Sequence, residues 1–196
     1  MKNATLSILM ISFMAAAACA GAQAKERLGQ FKSYAMDNNY FSCQVPVAWS
    51  LERDKDRDAD YKIYEIQLLA PGANKAPTSI GVAFYAKDNE DFNDYADFVK
   101  SNSKNALGET KSKRENYSAP KDMTLAGRKA ILLSRDRLVY LHPESKSDES
   151  VQLKEKLYVL PAKEGFYVLH FSAEAAAFAK NLPVFEKVAK SFKGLP

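Results

Sequence analysis

The chain has 196 residues, of which 46% are hydrophobic and 27% are charged, with 28 Lys and Arg against 24 Asp and Glu. This length favours one domain whose hydrophobic core is large enough to fold without disulfides or metals. The charges are mixed along the sequence and form no dense basic stripe, so the composition argues against a nucleic-acid partner.

Residues 1–24 predict an export signal. Lys2 provides a positive start, an apolar core of residues 6–18 follows, and small residues surround the expected cleavage site. The apolar run is shorter than the roughly 20 residues that a transmembrane helix needs, so we do not interpret it as a membrane span.

Two processing routes are open at the end of this segment. Ala22-Gln23-Ala24 fits the small-x-small pattern for ordinary cleavage before Lys25, which would give a soluble periplasmic protein. Residues 16–19, AAAC, instead resemble the lipobox of bacterial lipoproteins, in which the cysteine is lipidated and becomes the new N-terminus. We favour the second route, with a lipid on Cys19 anchoring the protein to a membrane that faces the periplasm.

On this interpretation residues 25–36 are a polar tether and residues 37–196 form a single domain. Loss of the signal leaves Cys43 as the only cysteine besides Cys19, so an internal disulfide is not expected on either route. In the segment FSCQV, Phe41, Cys43 and Val45 share one face of a strand, which predicts a buried thiol.

Alternating hydrophobic residues predict strands in most of the domain. A strand begins at Tyr40, is broken at Pro46 and is followed by a second strand that carries Trp49. The remaining strands are predicted at residues 61–70, 79–86 and 123–142, with Gly127 at a bulge or close approach, and in a hairpin of residues 151–173 that turns at 161–165.

Two segments have helical periodicity instead. The first lies within residues 88–108, with acidic residues in its first turns and Gly108 as its C-cap. The second is predicted to begin near Pro183, with Asn181 as N-cap. Its apolar stripe consists of Phe178, Leu182, Phe185, Val188 and Phe192. Together these elements predict an α+β fold with an antiparallel sheet.

Three segments, FSCQVPVAW, LAGRKA and FEKVAKSF, resemble the PsbP-like superfamily. This superfamily includes the PsbP extrinsic proteins of photosystem II, a small Ran-binding nuclear import factor and bacterial DcrB-like lipoproteins. The resemblance covers roughly residues 36–193 and implies an α/β/α sandwich with helices on both faces of an antiparallel sheet. With its export signal, the chain is most similar to the bacterial lipoprotein branch. The shared motifs are fold signatures, so the resemblance implies no functional residues.

The aspartate run of residues 50–67, SLERDKDRDADYKIYEIQ, is nearly spaced as a calcium-binding loop. Asp54, Asp56 and Asp58 take the first three ligand positions, and Glu65 takes the last. Ala59, however, stands where the loop needs a glycine, and the flanking segments are strands. We therefore favour a charged hairpin loop without a cofactor, and keep a binding protein dependent on calcium or manganese as the alternative.

A second acidic cluster, Asp88, Glu90, Asp91 and Asp94, is explained by the dipole of the helix that follows it. The sequence contains no G-x-S-x-G, no H-E-x-x-H, no phosphate-binding glycine loop and no Rossmann fingerprint. A cysteine-dependent enzyme using Cys43 and His170 is the third hypothesis, but a histidine on an apolar strand face is more often structural. We therefore predict that the chain is not an enzyme.

The many aromatic residues favour protein binding. Six tyrosines are expected to leave an aromatic sheet face partly open. They are Tyr61, Tyr64, Tyr85, Tyr140, Tyr158 and Tyr167. The sequence thus predicts an exported, lipid-anchored binding or assembly module of the bacterial envelope that has a protein partner.

Overall fold

The computed structural model describes residues 29–72 and 74–195, so the predicted signal and Cys19 lie outside the described residues. The described chain forms strands and three α-helices, α1–α3. The strands are β1 Phe31–Ala35, β2 Phe41–Pro46, β3 Ser50–Glu52, β4 Ile63–Leu69, β5 Ser79–Ala86, β6 Glu115–Tyr117, β7 Lys121–Leu125, β8 Arg128–Tyr140, β9 Ser150–Ala162, β10 Gly165–Glu174 and β11 Lys193–Gly194. The α-helices are α1 Lys55–Tyr61, α2 Tyr95–Asn102 and α3 Ala175–Ser191.

The main sheet has eight strands and is antiparallel throughout. Its order is β3-β4-β5-β10-β9-β8-β6, and β7 pairs with another part of β8. A smaller antiparallel sheet has the order β1-β2-β11. The longest strands, β8, β9 and β10, lie side by side. Buried apolar residues of β9 and β10 lie on both faces of the main sheet.

The main core lies on one face of this sheet, which we call the α3 face. Alternate residues of β9 and β10, such as Tyr158 and Tyr167, point to this side and are almost fully buried. Helix α3 contributes Phe185 and Val188, which are also buried, and Phe185 stacks on Tyr158 with ring centroids 5.4 Å apart. The small sheet closes the same core through β2.

A smaller core lies on the opposite face, which we call the α2 face. Phe98 of α2 packs on Phe166, with ring centroids 5.6 Å apart, and Tyr85 stacks on Phe166 at 4.7 Å. Leu157 and Val168 complete the contact surface beneath the helix. Helices therefore cover both faces of the antiparallel sheet, which confirms the predicted α+β sandwich.

The predicted boundary between tether and domain was wrong. Residues 31–35 form β1, which pairs with β2, and Met36 is buried in the main core. Phe31 and Tyr34 also pack against that core. The folded domain therefore begins before residue 37, because Phe31, Tyr34 and Met36 of the expected tether reach the core.

The aspartate run also folds differently from the prediction. Residues 55–61 form α1 rather than a hairpin loop, although β3 and β4 on either side pair with each other as expected. Gly127 is likewise in a tight turn rather than a bulge. Ala126 and Gly127 both have positive φ, 49° and 79°, and connect β7 to β8 as a two-residue hairpin.

The two helices of the sequence analysis exist, but their limits differ. Helix α2 ends at Asn102, six residues before the predicted cap at Gly108. Helix α3 begins at Ala175 and includes Pro183 in its interior, so Asn181 is not its N-cap. The amide of Asn181 instead donates to the carbonyl of Ala177, 3.0 Å away. The predicted apolar stripe of this helix does face the core.

Candidate functional site

The α2 face contains an open groove, because α2 covers only part of the sheet. The groove has a volume of about 310 Å³ and lies beside α2, over β5 and β10. Its floor includes Gly81 and Ala83, and its walls include His170, Arg135 and Phe92. We call it the sheet groove.

Gly81 gives the groove its depth. It lies opposite Gln67 on β4 and His170 on β10, in a row that crosses the sheet. A Cβ atom at this position would be 2.9 Å from Oε1 of Glu65. A larger residue would therefore push the Glu65 side chain away and fill part of the groove.

A buried charge cluster lies behind Arg135 and His170, two of the residues that line the groove. Glu155 on β9 is only 3% exposed, although it lies between leucines on an otherwise apolar strand face. Its carboxylate accepts hydrogen bonds from Nε of Arg135 and from Nε and Nη2 of Arg137, the latter two at 2.8 and 3.1 Å. Nε2 of His170 lies 3.2 Å from Oε1 of the same carboxylate. The cluster thus links β8, β9 and β10.

The same cluster also holds α2 in place. Nη1 of Arg135 donates to the side-chain oxygen of Asn102, the last residue of α2, over 3.2 Å. Burial by itself raises the pKa of Glu155, but the hydrogen bond with His170 and the charge of Arg135 outweigh it and hold the pKa well below its usual range. Glu155 is therefore ionised and matched by cations around neutral pH.

A second recess of about 290 Å³ adjoins the sheet groove, with which it shares Glu65. Here Nε of Arg53 donates to Asp58 over 2.7 Å, and the backbone N–H of Glu65 donates to Asp58 over 3.2 Å. Asp58 is 4% exposed, so α1 is held against β4 by a buried carboxylate. Because the two openings adjoin at Glu65, over β4 and β5, we call them together the path.

The four residues considered for calcium do not form the expected loop. Asp54 precedes α1, whereas Asp56 and Asp58 lie within it, and alternate residues of a helix point in widely different directions. Asp56 is exposed while Asp58 is buried, and Glu65 lies on β4. Within residues 29–72 and 74–195, no group of three His, Cys, Asp or Glu side chains is arranged to hold a metal ion.

Cys43 and His170 lie on different sides of the main sheet. Cys43 is 4% exposed in the core of the α3 face, where burial raises the pKa of its thiol to about 12. His170 opens into the sheet groove on the α2 face. The two side chains are therefore not brought together as a catalytic pair.

The second acidic cluster and the tyrosines are also dispersed. Asp94 caps α2 by accepting from the N–H of Asp97 over 2.8 Å, Asp88 pairs with Lys62, and Asp91 lines the sheet groove.

The prediction of one open aromatic face was wrong. Tyr158 and Tyr167 are buried on the α3 face, whereas Tyr85 packs under α2 on the other face.

The sequence analysis missed Glu155, Arg135 and Arg137. The sequence did contain one indication. In VQLKEKL, Glu155 shares a strand face with leucines, where a buried charged residue needs a partner. Arg135 lies directly opposite Glu155 across the β8–β9 hairpin. The pairing of Arg135 with Glu155 could have been predicted only if the register of β8 against β9 had been known.

Charge along the path is predominantly negative. Five carboxylates and two guanidinium groups, together with His170, are among the described residues that line the sheet groove and the recess. The carboxylates are Glu52, Asp54, Asp58, Glu65 and Asp91, and the guanidinium groups are Arg53 and Arg135. A ligand with positive charge would complement this surface.

Comparison with known proteins identifies the fold. No protein-family model matches the chain, and no curated protein sequence is significantly similar to it. Cyanobacterial PsbP (CyanoP) from Synechocystis superposes with a TM-score of 0.52 and 12% identity, over 84% of this chain and 92% of that one. The domain has a PsbP-like fold. This confirms the resemblance at the level of fold.

Two further solved structures superpose on most of this chain. A protein of Bacteroides thetaiotaomicron gives a TM-score of 0.52 and 10% identity, over 85% of this chain and 49% of that one. LpqN, described as involved in cell envelope biogenesis of Mycobacterium tuberculosis, gives a TM-score of 0.45 and 16% identity, over 85% of this chain and 91% of that one. At 10% identity the likeness to the Bacteroides protein concerns the fold alone. None of the helices in the described part of the chain has the length and hydrophobicity required to cross a membrane.

Proposed function

We propose that this chain is an exported, lipid-anchored binding module of the bacterial envelope, and that its sheet groove receives a segment of a protein partner. The observation that carries the proposal is the groove on the α2 face, in whose wall Arg135 and His170 are already paired with Glu155. A concave surface of this kind is what a binding module offers its partner.

Two features support binding rather than catalysis. His170 is engaged with a carboxylate that is already matched by two arginines. The thiol of Cys43, the other residue considered for catalysis, is enclosed in the core of the opposite face. A binding role requires neither group to react.

The chemistry of the path favours a partner segment that carries Lys or Arg residues. The lining has more carboxylates than cations, and its floor is formed by the small residues Gly81 and Ala83. An extended segment could lie along the floor, with its basic side chains directed towards Glu52 and Asp91 at the exposed rim.

Affinity purification after cross-linking in cells tests this proposal. The tagged full chain is compared with the double variant Glu52→Lys and Asp91→Lys, whose two residues are exposed at the rim. The double variant Glu144→Lys and Asp148→Lys in the exposed loop of residues 141–149 is the matched control. We expect one partner to be recovered with the wild type and the control but not with the rim variant. Equal recovery with all three proteins would contradict the assignment of the groove.

The anchor has its own test. If Cys19 carries the lipid, Cys19→Ala moves the protein out of the membrane fraction, because the variant lacks the residue to which the lipid is attached. Cell fractionation followed by immunoblotting measures this distribution. An unchanged membrane fraction would overturn the lipid anchor without affecting the proposal for the groove.

A further inference from the structure

Three exposed lysines form a stripe along the outer side of α3. Lys180, Lys187 and Lys190 are seven and three residues apart, so they project in similar directions from the helix. Phe185 and Val188 point the opposite way, into the core of the α3 face. We call the three residues the lysine stripe.

The acidic residues at α3 do not neutralise this stripe. Oε1 of Glu186 accepts from Nζ of Lys156 over 2.6 Å and from the hydroxyl of Tyr158 over 2.8 Å, so this carboxylate is turned towards the sheet. Glu174 at the start of the helix accepts from the N–H of Ala76 over 2.7 Å. The outer side of the helix therefore presents positive charge.

The described chain begins beside the lysine stripe. Nζ of Lys187 lies 3.9 Å from the ring centroid of Phe31, the first residue of β1. Ten peptide steps separate Gly29, the first described residue, from Cys19, and they span at most about 35 Å. A lipid at Cys19 would thus hold this side of the domain within reach of the bilayer.

We infer that the lysine stripe docks on an anionic phospholipid surface. Lysines close to such a surface are attracted by its negative potential, and the attraction extends over about 10 Å at ordinary ionic strength. The exposed Pro183, which lies between the lysines, offers an apolar contact at the level of the headgroups. The inference rests on the lipid anchor only for the proximity of the bilayer and does not require the groove to bind a partner.

This orientation has a consequence for the sheet groove. Helix α3 and the groove lie on opposite faces of the main sheet. Docking through the lysine stripe therefore directs the groove away from the membrane, where a partner segment could enter it.

Vesicle sedimentation of the full chain, as purified from its own cells, tests the inference. Its partition onto vesicles of phosphatidylcholine with phosphatidylglycerol is compared with its partition onto pure phosphatidylcholine. The ratio of the two partition coefficients reports the contribution of charge alone, because a lipid anchor would insert into both kinds of vesicle. The variant is Lys180→Gln, Lys187→Gln and Lys190→Gln, and the matched control is Lys111→Gln, Lys113→Gln and Lys121→Gln, three exposed lysines near β6 and β7.

We expect the wild type and the control to prefer the anionic vesicles by roughly 10- to 100-fold, since each lysine near the surface contributes about fivefold. The stripe variant should lose most of this preference, and about 0.5 M salt should remove it from all three proteins. Equal binding of the wild type to both kinds of vesicle would overturn the inference. An undiminished preference in the stripe variant would overturn it as well.

Discussion

Glu155 illustrates how a single residue can hold this site together. Its carboxylate is buried among leucines, yet it accepts hydrogen bonds from two arginines and faces His170. Removal of one partner from a buried ion pair leaves the other charges uncompensated. The geometry of the sheet groove therefore depends on a residue that takes little part in its exposed surface.

We expect Glu155→Gln to lower the free energy of unfolding at pH 7 by about 3–5 kcal/mol, because Arg135 and Arg137 lose their buried counter-charge. Urea denaturation followed by circular dichroism measures this change. The control is Glu144→Gln, an exposed residue of the loop 141–149 for which no loss is expected. A midpoint for Glu155→Gln equal to that of the wild type would show that the cluster contributes nothing to stability.

Glu155 should also make the free energy of unfolding of the wild type depend on pH. The folded pKa of Glu155 lies below the value of about 4.3 expected in the unfolded chain. Its contribution is therefore complete above about pH 5 and is lost as the pH falls towards the folded pKa. The difference in stability between the wild type and Glu155→Gln should shrink over this range. A difference that stays constant from pH 7 to pH 3 would contradict the depressed pKa.

Cys43 gives a second prediction at this scale. With a pKa of about 12, its thiol is about one part in 10⁴ thiolate at pH 8, and the side chain is 4% exposed. Alkylation by iodoacetamide, located by peptide mass mapping, should therefore occur at Cys43 only in guanidinium chloride. Complete labelling of Cys43 within minutes under native conditions would revive the hypothesis of a reactive cysteine.

The residue scale also shows what the sequence could predict. Burial of Cys43 followed directly from alternation within one strand, which is a local property. The pairing of Arg135 with Glu155 depends on the register of β8 against β9, which is set by a long hairpin and its loop. For this reason the sequence predicted the core residue and missed the charge cluster.

At the scale of secondary structure elements, α1 and α3 differ most from the prediction. The alternate aspartates of residues 54–60 are compatible with a loop or a short helix. In the structure residues 55–61 form a helix, in which Asp58 is buried and accepts a hydrogen bond from Arg53. In α3 a proline was expected to mark the first turn. Eight helical residues, five of them alanine or phenylalanine, precede it and extend the helix towards β10.

Pro183 should therefore weaken α3. It has no N–H to donate to the carbonyl of Ala179, and its ring crowds the preceding turn. We expect Pro183→Ala to raise the free energy of unfolding by about 1–2 kcal/mol, after allowance for the greater freedom of the unfolded chain. Urea denaturation checks this, with Pro77→Ala, at an exposed proline between β4 and β5, as the control. A loss of stability in Pro183→Ala would mean that the proline is favourable where it lies.

At the scale of the whole molecule, the layout was predictable and the site was not. Strand alternation and two amphipathic helices suffice for an α+β sandwich, because each pattern specifies an apolar surface that must be covered. The sheet groove arises where α2 stops covering the sheet, and this depends on a helix end that the sequence placed six residues too late. The two proposed surfaces, the groove and the lysine stripe, consequently appear only in the folded arrangement.

Site-specific photo-crosslinking in living cells tests the central claim most directly. A photoreactive residue replaces Gln67, which is exposed in the recess and lies opposite Gly81 of the groove, or Ser147 in the loop 141–149 as control. Our account predicts one discrete adduct with a protein from position 67 and none from position 147. Identical adducts from both positions, or no adduct from position 67, would contradict the assignment of the sheet groove as the binding site.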